Sequence, residues 1–254
     1  MKKFLRLCIL AIFVLGILSF FKTIGFAEGV YVQTDNGKVY DSSPEFKEIP
    51  KWSGNVDANG YATGQGVLQW YLDSKPVERY EGTMLEGKMS GQGTFTWPDK
   101  TKYVGSFSND FRNGYGTLTW PNGDKYEGYF VDDLKSGQGT LTWSDGTKYV
   151  GTFKNDKRNG YGTLTWPNGD KYEGYFVDDT ESGRGKFTWT NGDSYVGNFS
   201  NNAANGQGIY TWANGNYYEG NFVNWYRDGY GTYYSKDGTI IMQGKWSKDN
   251  FIGK

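Results

Sequence analysis

Histidine is absent from this 254-residue chain, and cysteine occurs once, at Cys8. Those two gaps exclude a good deal of chemistry. Without imidazole there is no usual general base, no Ser–His or Cys–His pair, and none of the commonest metal ligand. With a single thiol there is no disulfide and no cysteine set for structural zinc. A G-x-x-x-x-G-K-[ST] phosphate loop is also missing, and the many G-x-G tripeptides recur at fixed intervals, which marks them as repeat positions and not a nucleotide site. Proline (6) and methionine (4) are sparse, and aliphatic residues are too few to fill a conventional two-layer core. We therefore expect no catalytic residue, no cofactor and no bound metal.

What the chain has instead is glycine and rings: 38 Gly, 21 Tyr, 16 Phe and 10 Trp, with a mean hydropathy of −0.70. Glycine-rich sequence is often disordered, but disordered chains are poor in aromatics. The composition predicts a folded, all-β protein whose rings carry most of the burial.

The first stretch, MKKFLRLCILAIFVLGILSFFKTIGFAEG, stands apart. Lys2, Lys3 and Arg6 precede an apolar run from Leu7 to Phe21, and small Gly25 and Ala27 follow with A-x-A-like spacing. That is the order of a secretory signal. The rival reading is an uncleaved anchor helix, for which the run is short against the ~20 residues that span a bilayer core. Cys8 does not sit in a small-residue lipoprotein box. In both readings the positive end stays inside and the remainder lies outside the cytoplasm, secreted or membrane-anchored. Cleavage after Ala27 would leave 23 basic against 28 acidic residues, a net charge of −5. Nucleic acid and anionic lipid both favour basic patches, so neither is expected as a partner.

The rest of the chain repeats itself. The 22 residues RNGYGTLTWPNGDKYEGYFVDD occur at Arg112–Asp133 and again at Arg158–Asp179, within a block, Tyr103–Lys148, that matches Tyr149–Ser194 at 34 of 46 positions. A shorter period lies beneath. Tyrosines stand every 23 residues at Tyr80, Tyr103, Tyr126, Tyr149, Tyr172, Tyr195 and Tyr218. Glycines hold the third, twelfth and fourteenth places, as in Gly105, Gly114 and Gly116, then Gly128, Gly137 and Gly139, and onward through Gly151 and Gly174. The fifth place is Phe107, Phe130, Phe153 and Phe176, and the eighteenth is tryptophan, including Trp120 and Trp143. Each unit reads as a β-hairpin. GTLTW alternates, PNGD turns, and KYEGYFV alternates again, with Asn122-Gly123 as the turn signal. Period two places Leu118, Trp120, Tyr126, Gly128 and Phe130 on a packed face, and Glu127 and Tyr129 on the other. Loops of the VDDLKSGQ type are expected to lead to the next hairpin.

Y-x-G-x-F followed by G-x-G every 23 residues resembles the MORN (membrane occupation and recognition nexus) repeat. The resemblance implies an elongated single-layer antiparallel sheet of stacked hairpins, preceded here by the N-terminal signal or anchor helix. Residues 1–27 would be that segment, 28–51 a capping hairpin and linker around Asn36-Gly37, and 52–79 a degenerate first repeat. Residues 80–241 would hold seven regular repeats and 242–254 a degenerate C-terminal cap. Irregular terminal copies suit capping.

Two kinds of residue remain to be weighed. Adjacent acids such as Asp132-Asp133 and Asp178-Asp179 recur in register, which favours a turn role over a glycosidase pair or calcium loops. Asp133 is expected in a solvated loop, where its loss would matter little. Most rings are expected to pack on one another; Tyr129 and Tyr175, pointing the opposite way, are the candidate partner contacts. The resemblance implies a non-enzymatic scaffold for protein–protein or membrane-associated assembly. The alternative is a cell-envelope carbohydrate-binding module that stacks exposed aromatics on sugar rings.

Overall fold

Alternating rings and small polar residues favour strands over helices. The computed structural model, which describes residues 29–41 and 48–254, contains no helix among them. The expected signal or anchor segment, residues 1–27, lies outside the described residues. Two units are distinguished: one runs to Leu118 and takes in Val131–Asp133, the other comprises Thr119–Phe130 and Leu134–Lys254.

The first unit opens with a hairpin of β1 (Val30–Gln33) and β2 (Lys38–Asp41), with Gly37 at φ +92°. There follow β3 (Glu48–Trp52), β4 (Asn55–Val56), β5 (Ala62–Leu72), β6 (Lys75–Leu85), β7 (Lys88–Thr96), β8 (Lys102–Ser108) and β9 (Phe111–Thr119). From β5 to β8 each strand pairs antiparallel with the next, and β3 and β4 both pair with β5. The opening hairpin is tied to this sheet where Tyr40 N donates to Gly87 O (2.7 Å) and Lys38 N to Gly60 O (2.8 Å).

The second unit contains β10 (Lys125–Val131), β11 (Leu134–Thr142), β12 (Lys148–Lys154), β13 (Lys157–Thr165), β14 (Lys171–Val177) and β15 (Thr180–Thr188). It continues through β16 (Ser194–Ser200), β17 (Ala203–Thr211), β18 (Tyr217–Val223), β19 (Tyr226–Tyr234), β20 (Ile240–Ser247) and β21 (Asn250–Gly253). From β11 to β21 each strand pairs antiparallel with its successor. In each unit, then, hairpins stack into an antiparallel sheet.

The connections correct one expectation. The VDDLKSGQ stretch is not a loop: Leu134–Thr142 is strand, and the turn shrinks to Asp132 and Asp133 at φ +46° and +69°. Two successive residues at positive φ form a type I′ turn, whose twist matches the flanking strands. Asp and Asn enter this region more readily than other residues with a β-carbon. That accounts for Asn109-Asp110, Asn155-Asp156, Asp178-Asp179 and Asn201-Asn202 at the corresponding turns. Every repeat therefore has two tight turns.

The repeat tyrosines are wholly buried. The Tyr149 ring lies across Gly151 and Gly162, which face each other on β12 and β13, and its hydroxyl donates to Thr152 O at 3.0 Å. Tyr126 lies likewise over Gly128 and Gly139 and donates to Tyr129 O at 3.0 Å. A β-carbon at Gly128 would stand 2.5 Å from the Tyr126 hydroxyl and 2.7 Å from Gly139 Cα, so glycine is needed there for space. The twelfth-place glycines serve differently. Gly160 adopts φ +102° where the β12–β13 register shifts at a bulge. Phe153 then meets Tyr149 edge-on (5.2 Å, 89°) and Tyr126 likewise (5.0 Å, 83°), which links consecutive repeats into a ladder. Such pairs add roughly 0.5–1.5 kcal/mol each beyond their buried area.

Tryptophan takes over at both ends. Trp52 lies over Gly54 and Gly66 and donates from Nε1 to Asn55 O (2.8 Å), as a repeat tyrosine would. Trp246 occupies the phenylalanine place, edge-on to Tyr218 at 5.3 Å.

Candidate functional site

The candidate sites are surfaces. On the face away from the ladder, Tyr129 and Tyr175 are 51% and 52% exposed, where strand alternation put them. Tyr175 stands opposite Tyr161 across β13 and β14, the two rings edge-to-face at 5.5 Å. Tyr115, Tyr161 and Tyr230 are at least as exposed. They were missed because the G-Y-G triplets that hold them were read only for their glycines.

On the ladder face, Tyr103, Phe107, Tyr126, Phe130, Tyr149, Phe153, Tyr172 and Phe176 are buried. Gly105, Gly116, Gly128, Gly139, Gly151 and Gly174 lie beneath tyrosine rings, while Gly114 and Gly137 take positive φ. Burial pushes the Tyr149 hydroxyl up to about 12, against a smaller opposing pull from Arg158, so it stays a donor at ordinary pH. Trp120 and Trp143 lie on the ladder side, Lys135 covering both Trp120 and Tyr126 and Arg158 both Trp143 and Tyr149, but they are only half-buried, as are Trp97, Trp166, Trp189 and Trp212. Within the second unit the tryptophans thus form a half-buried row beside the sealed ladder.

The turn acids do structural work that corrects a second expectation. The Asp133 carboxylate accepts hydrogen bonds from Arg112 N (2.9 Å) and Nε (3.0 Å), while Arg112 Nη2 donates to Asp133 O (2.7 Å). Its side chain is 16% exposed, so it is not a solvated loop residue. The signal was in the sequence, since a basic residue stands 21 positions before the acid in several copies. Strand pairing is needed to see that the two meet. Asp156 accepts likewise from Lys135 N, and Asp179 from Arg158 N, both at 2.9 Å. Among the described residues no group of three or more acids is placed to hold a metal ion.

The held cation also covers a tryptophan. Arg112 lies over Trp97 at 5.8 Å, Lys135 over Trp120 at 5.9 Å, Arg158 over Trp143 at 5.9 Å and Arg227 over Trp212 at 5.6 Å. In the second unit an open recess of ≈ 490 Å³ interrupts the row, its border including Trp166, Phe187, Trp189, Trp225, Glu181 and Arg158. Glu181 is only 5% exposed, and burial pushes its carboxyl up to about 7, with Arg158 opposing.

A family model described as MORN repeat matches residues 80–102, 103–125, 126–148, 149–171, 172–194, 195–217 and 218–240. Comparison with curated proteins finds no significant match. Similar solved structures include the SAS-4 (dCPAP) TCP domain of Drosophila melanogaster in complex with a proline-rich motif of Ana2. That match has 14% identity and a TM-score of 0.41, covering 61% of this chain and 85% of that one. The TCP10c domain of Drosophila melanogaster Sas-4 matches at 13% identity and a TM-score of 0.38, covering 61% and 93%. The G-box domain of the microcephaly protein CPAP matches at 13% identity and a TM-score of 0.45, covering 78% and 99%. Likeness at this level carries no argument about function.

Proposed function

The chain belongs to the MORN-repeat family, and from that premise we propose that it is a non-enzymatic interaction scaffold, exported from the cytoplasm, that binds a protein partner through its repeated aromatic surface. One observation carries the reading: the same ring positions return at fixed spacing, with Tyr129 and Tyr175 exposed on one face and the half-buried tryptophans on the other. Repeated equivalent patches act on a long or multivalent partner at high effective concentration. Affinity should then follow the number of repeats and not any single side chain. Export rests on the Lys2–Ala27 signal pattern, and membrane-associated assembly on that segment remaining attached.

The test starts with a pull-down from an envelope fraction using residues 28–254. Affinity for the protein recovered is then compared among the intact chain, a form lacking Tyr149–Ser194, and the Tyr129→Ala/Tyr175→Ala double variant. The deletion keeps the 23-residue phase, so it should fold and bind more weakly; the double variant should lose more than either single one. A single substitution that abolishes binding in a folded protein points to one localised site and defeats the scaffold reading. Recovery of glycan alone would support the carbohydrate-binding alternative.

A further inference from the structure

One column of the repeat carries a cation in four places and an acid in one. The second residue after each turn of the Asp132-Asp133 kind is Met89, Arg112, Lys135, Arg158, Glu181, Ala204 and then Arg227. Arg112 follows Trp97 by the same 15 residues that separate Lys135 from Trp120, Arg158 from Trp143 and Arg227 from Trp212. All four cations lie over those rings. By the same count Glu181 belongs to Trp166, and no Lys or Arg among the described residues lies over Trp166.

The backbone at this place is ordinary: Glu181 N donates to Asn202 Oδ1 at 2.8 Å, as Arg158 N does to Asp179. Only the side chains differ. Glu181 stands opposite Phe176 on the ladder face, is nine-tenths buried, and its carboxylate makes no hydrogen bond or ion pair with any described residue. A carboxylate so desolvated calls for a counter-charge. Arg158, which also borders the recess, answers that charge only in part, since its Nε (3.1 Å) and Nη2 (2.7 Å) are engaged with Asp179. Asn202, standing where neighbouring turns have Asp, leaves Glu181 as the excess charge.

The walls are also particular to this place. Trp225 occupies the turn position that Asp or Asn holds elsewhere, at φ +72°, a conformation poorly suited to a bulky residue. Its ring meets Phe187 at 5.6 Å and Trp189 at 5.4 Å, and Trp166 meets Phe187 at 5.2 Å. Together with Glu181 these rings line an aromatic recess that holds an acid, the combination that attracts organic cations.

We propose that this recess receives an arginine side chain of the protein partner, which supplies in trans the guanidinium that Arg112, Arg158 and Arg227 supply within the chain. Arginine is the residue three of the four occupied places use, and its flat fork suits both a ring face and a carboxylate. The inference rests on the scaffold reading for the existence of a protein partner, but its test needs no partner.

The intact protein is titrated at pH 8 with the blocked peptide acetyl-Gly-Arg-Gly-amide and followed by tryptophan fluorescence. The citrulline peptide and tetramethylammonium serve as comparisons. Saturable binding of the arginine peptide is expected, at least tenfold weaker for citrulline, and weakened at least tenfold by Glu181→Gln. Glu181→Arg should abolish binding and raise the melting temperature; should that variant fail to fold, Glu181→Gln and added salt still decide. Absence of saturation, equal affinity for citrulline, indifference to Glu181→Gln, or tighter binding of tetramethylammonium would each overturn the proposal. Any of these with repeat-dependent partner binding intact leaves the scaffold standing without the pocket.

Discussion

Arg112–Asp133 and Arg158–Asp179 are the same 22 residues, yet they do not make the same place. The clamp is common to both: each aspartate accepts from the arginine N at 2.9 Å, and each Nη2 donates to the aspartate O at 2.7 Å. What differs is exposure, 16% for the Asp133 side chain against 50% for Asp179. The cause lies outside the copied residues. Leu134 and Lys135 follow the first copy, Thr180 and Glu181 the second. A repeat fixes its own backbone geometry, while its neighbour decides how much water and charge reach it.

The most damaging way to probe the comparison is to strike what both copies share. Gly128→Val and Gly174→Val each force a branched side chain into a tyrosine ring, and overpacking of this kind costs roughly 3 kcal/mol. We expect equal drops in melting temperature for the two variants, and an unchanged midpoint for either would refute the ring-over-glycine packing. A smaller and unequal pair comes next. Asp133→Ala should cost about 2 kcal/mol and Asp179→Ala about 1 kcal/mol in urea unfolding, since the more buried clamp loses better-shielded charge-assisted bonds. Equal costs would show that exposure does not separate the copies.

The third test uses pH. The Glu181 carboxyl is raised from its usual value of 4.5 to about 7, so between those values the folded chain holds more protons than the unfolded one. Its contribution to stability is full below about 4.5 and is lost as pH rises through about 7. The titratable groups facing it are Arg158, paired with Asp179, and the Tyr172 hydroxyl, which burial keeps protonated and neutral throughout this range. Glu181→Gln should flatten this part of the stability profile, and an unchanged slope would contradict the assignment. Smallest of all, Tyr129→Ala and Tyr175→Ala should each change stability by less than about 0.5 kcal/mol, as exposed positions usually do. A larger loss by calorimetry would mean that these rings hold the sheet together.

The period, the strands and the buried ladder were legible because each rests on alternation and spacing within 23 residues. Tyr149 over Gly151 and Gly162 is a pattern a reader can count. The Asp132-Asp133 turn was less legible, since acids suit both solvated loops and left-handed turns, and only the φ values separate the two. The clamp between Arg112 and Asp133 was hidden for another reason. Its partners lie on different hairpins, and their meeting depends on sheet register. The Glu181 recess was harder still: one acid in a chain with 28 looks ordinary until its column is lined up and its burial known.

Among the described residues the strands from β6 to β8 in the first unit and from β11 to β21 in the second pair with neighbours in sequence, as where Gly160 faces Phe176 or Lys154 faces Lys157. Loops that short close at little entropic expense, and contacts made between near residues speed folding. Such a chain can begin to order at any hairpin and zip outward in both directions. Local opening of one rung should then expose its own amides to exchange with solvent while distant rungs remain protected.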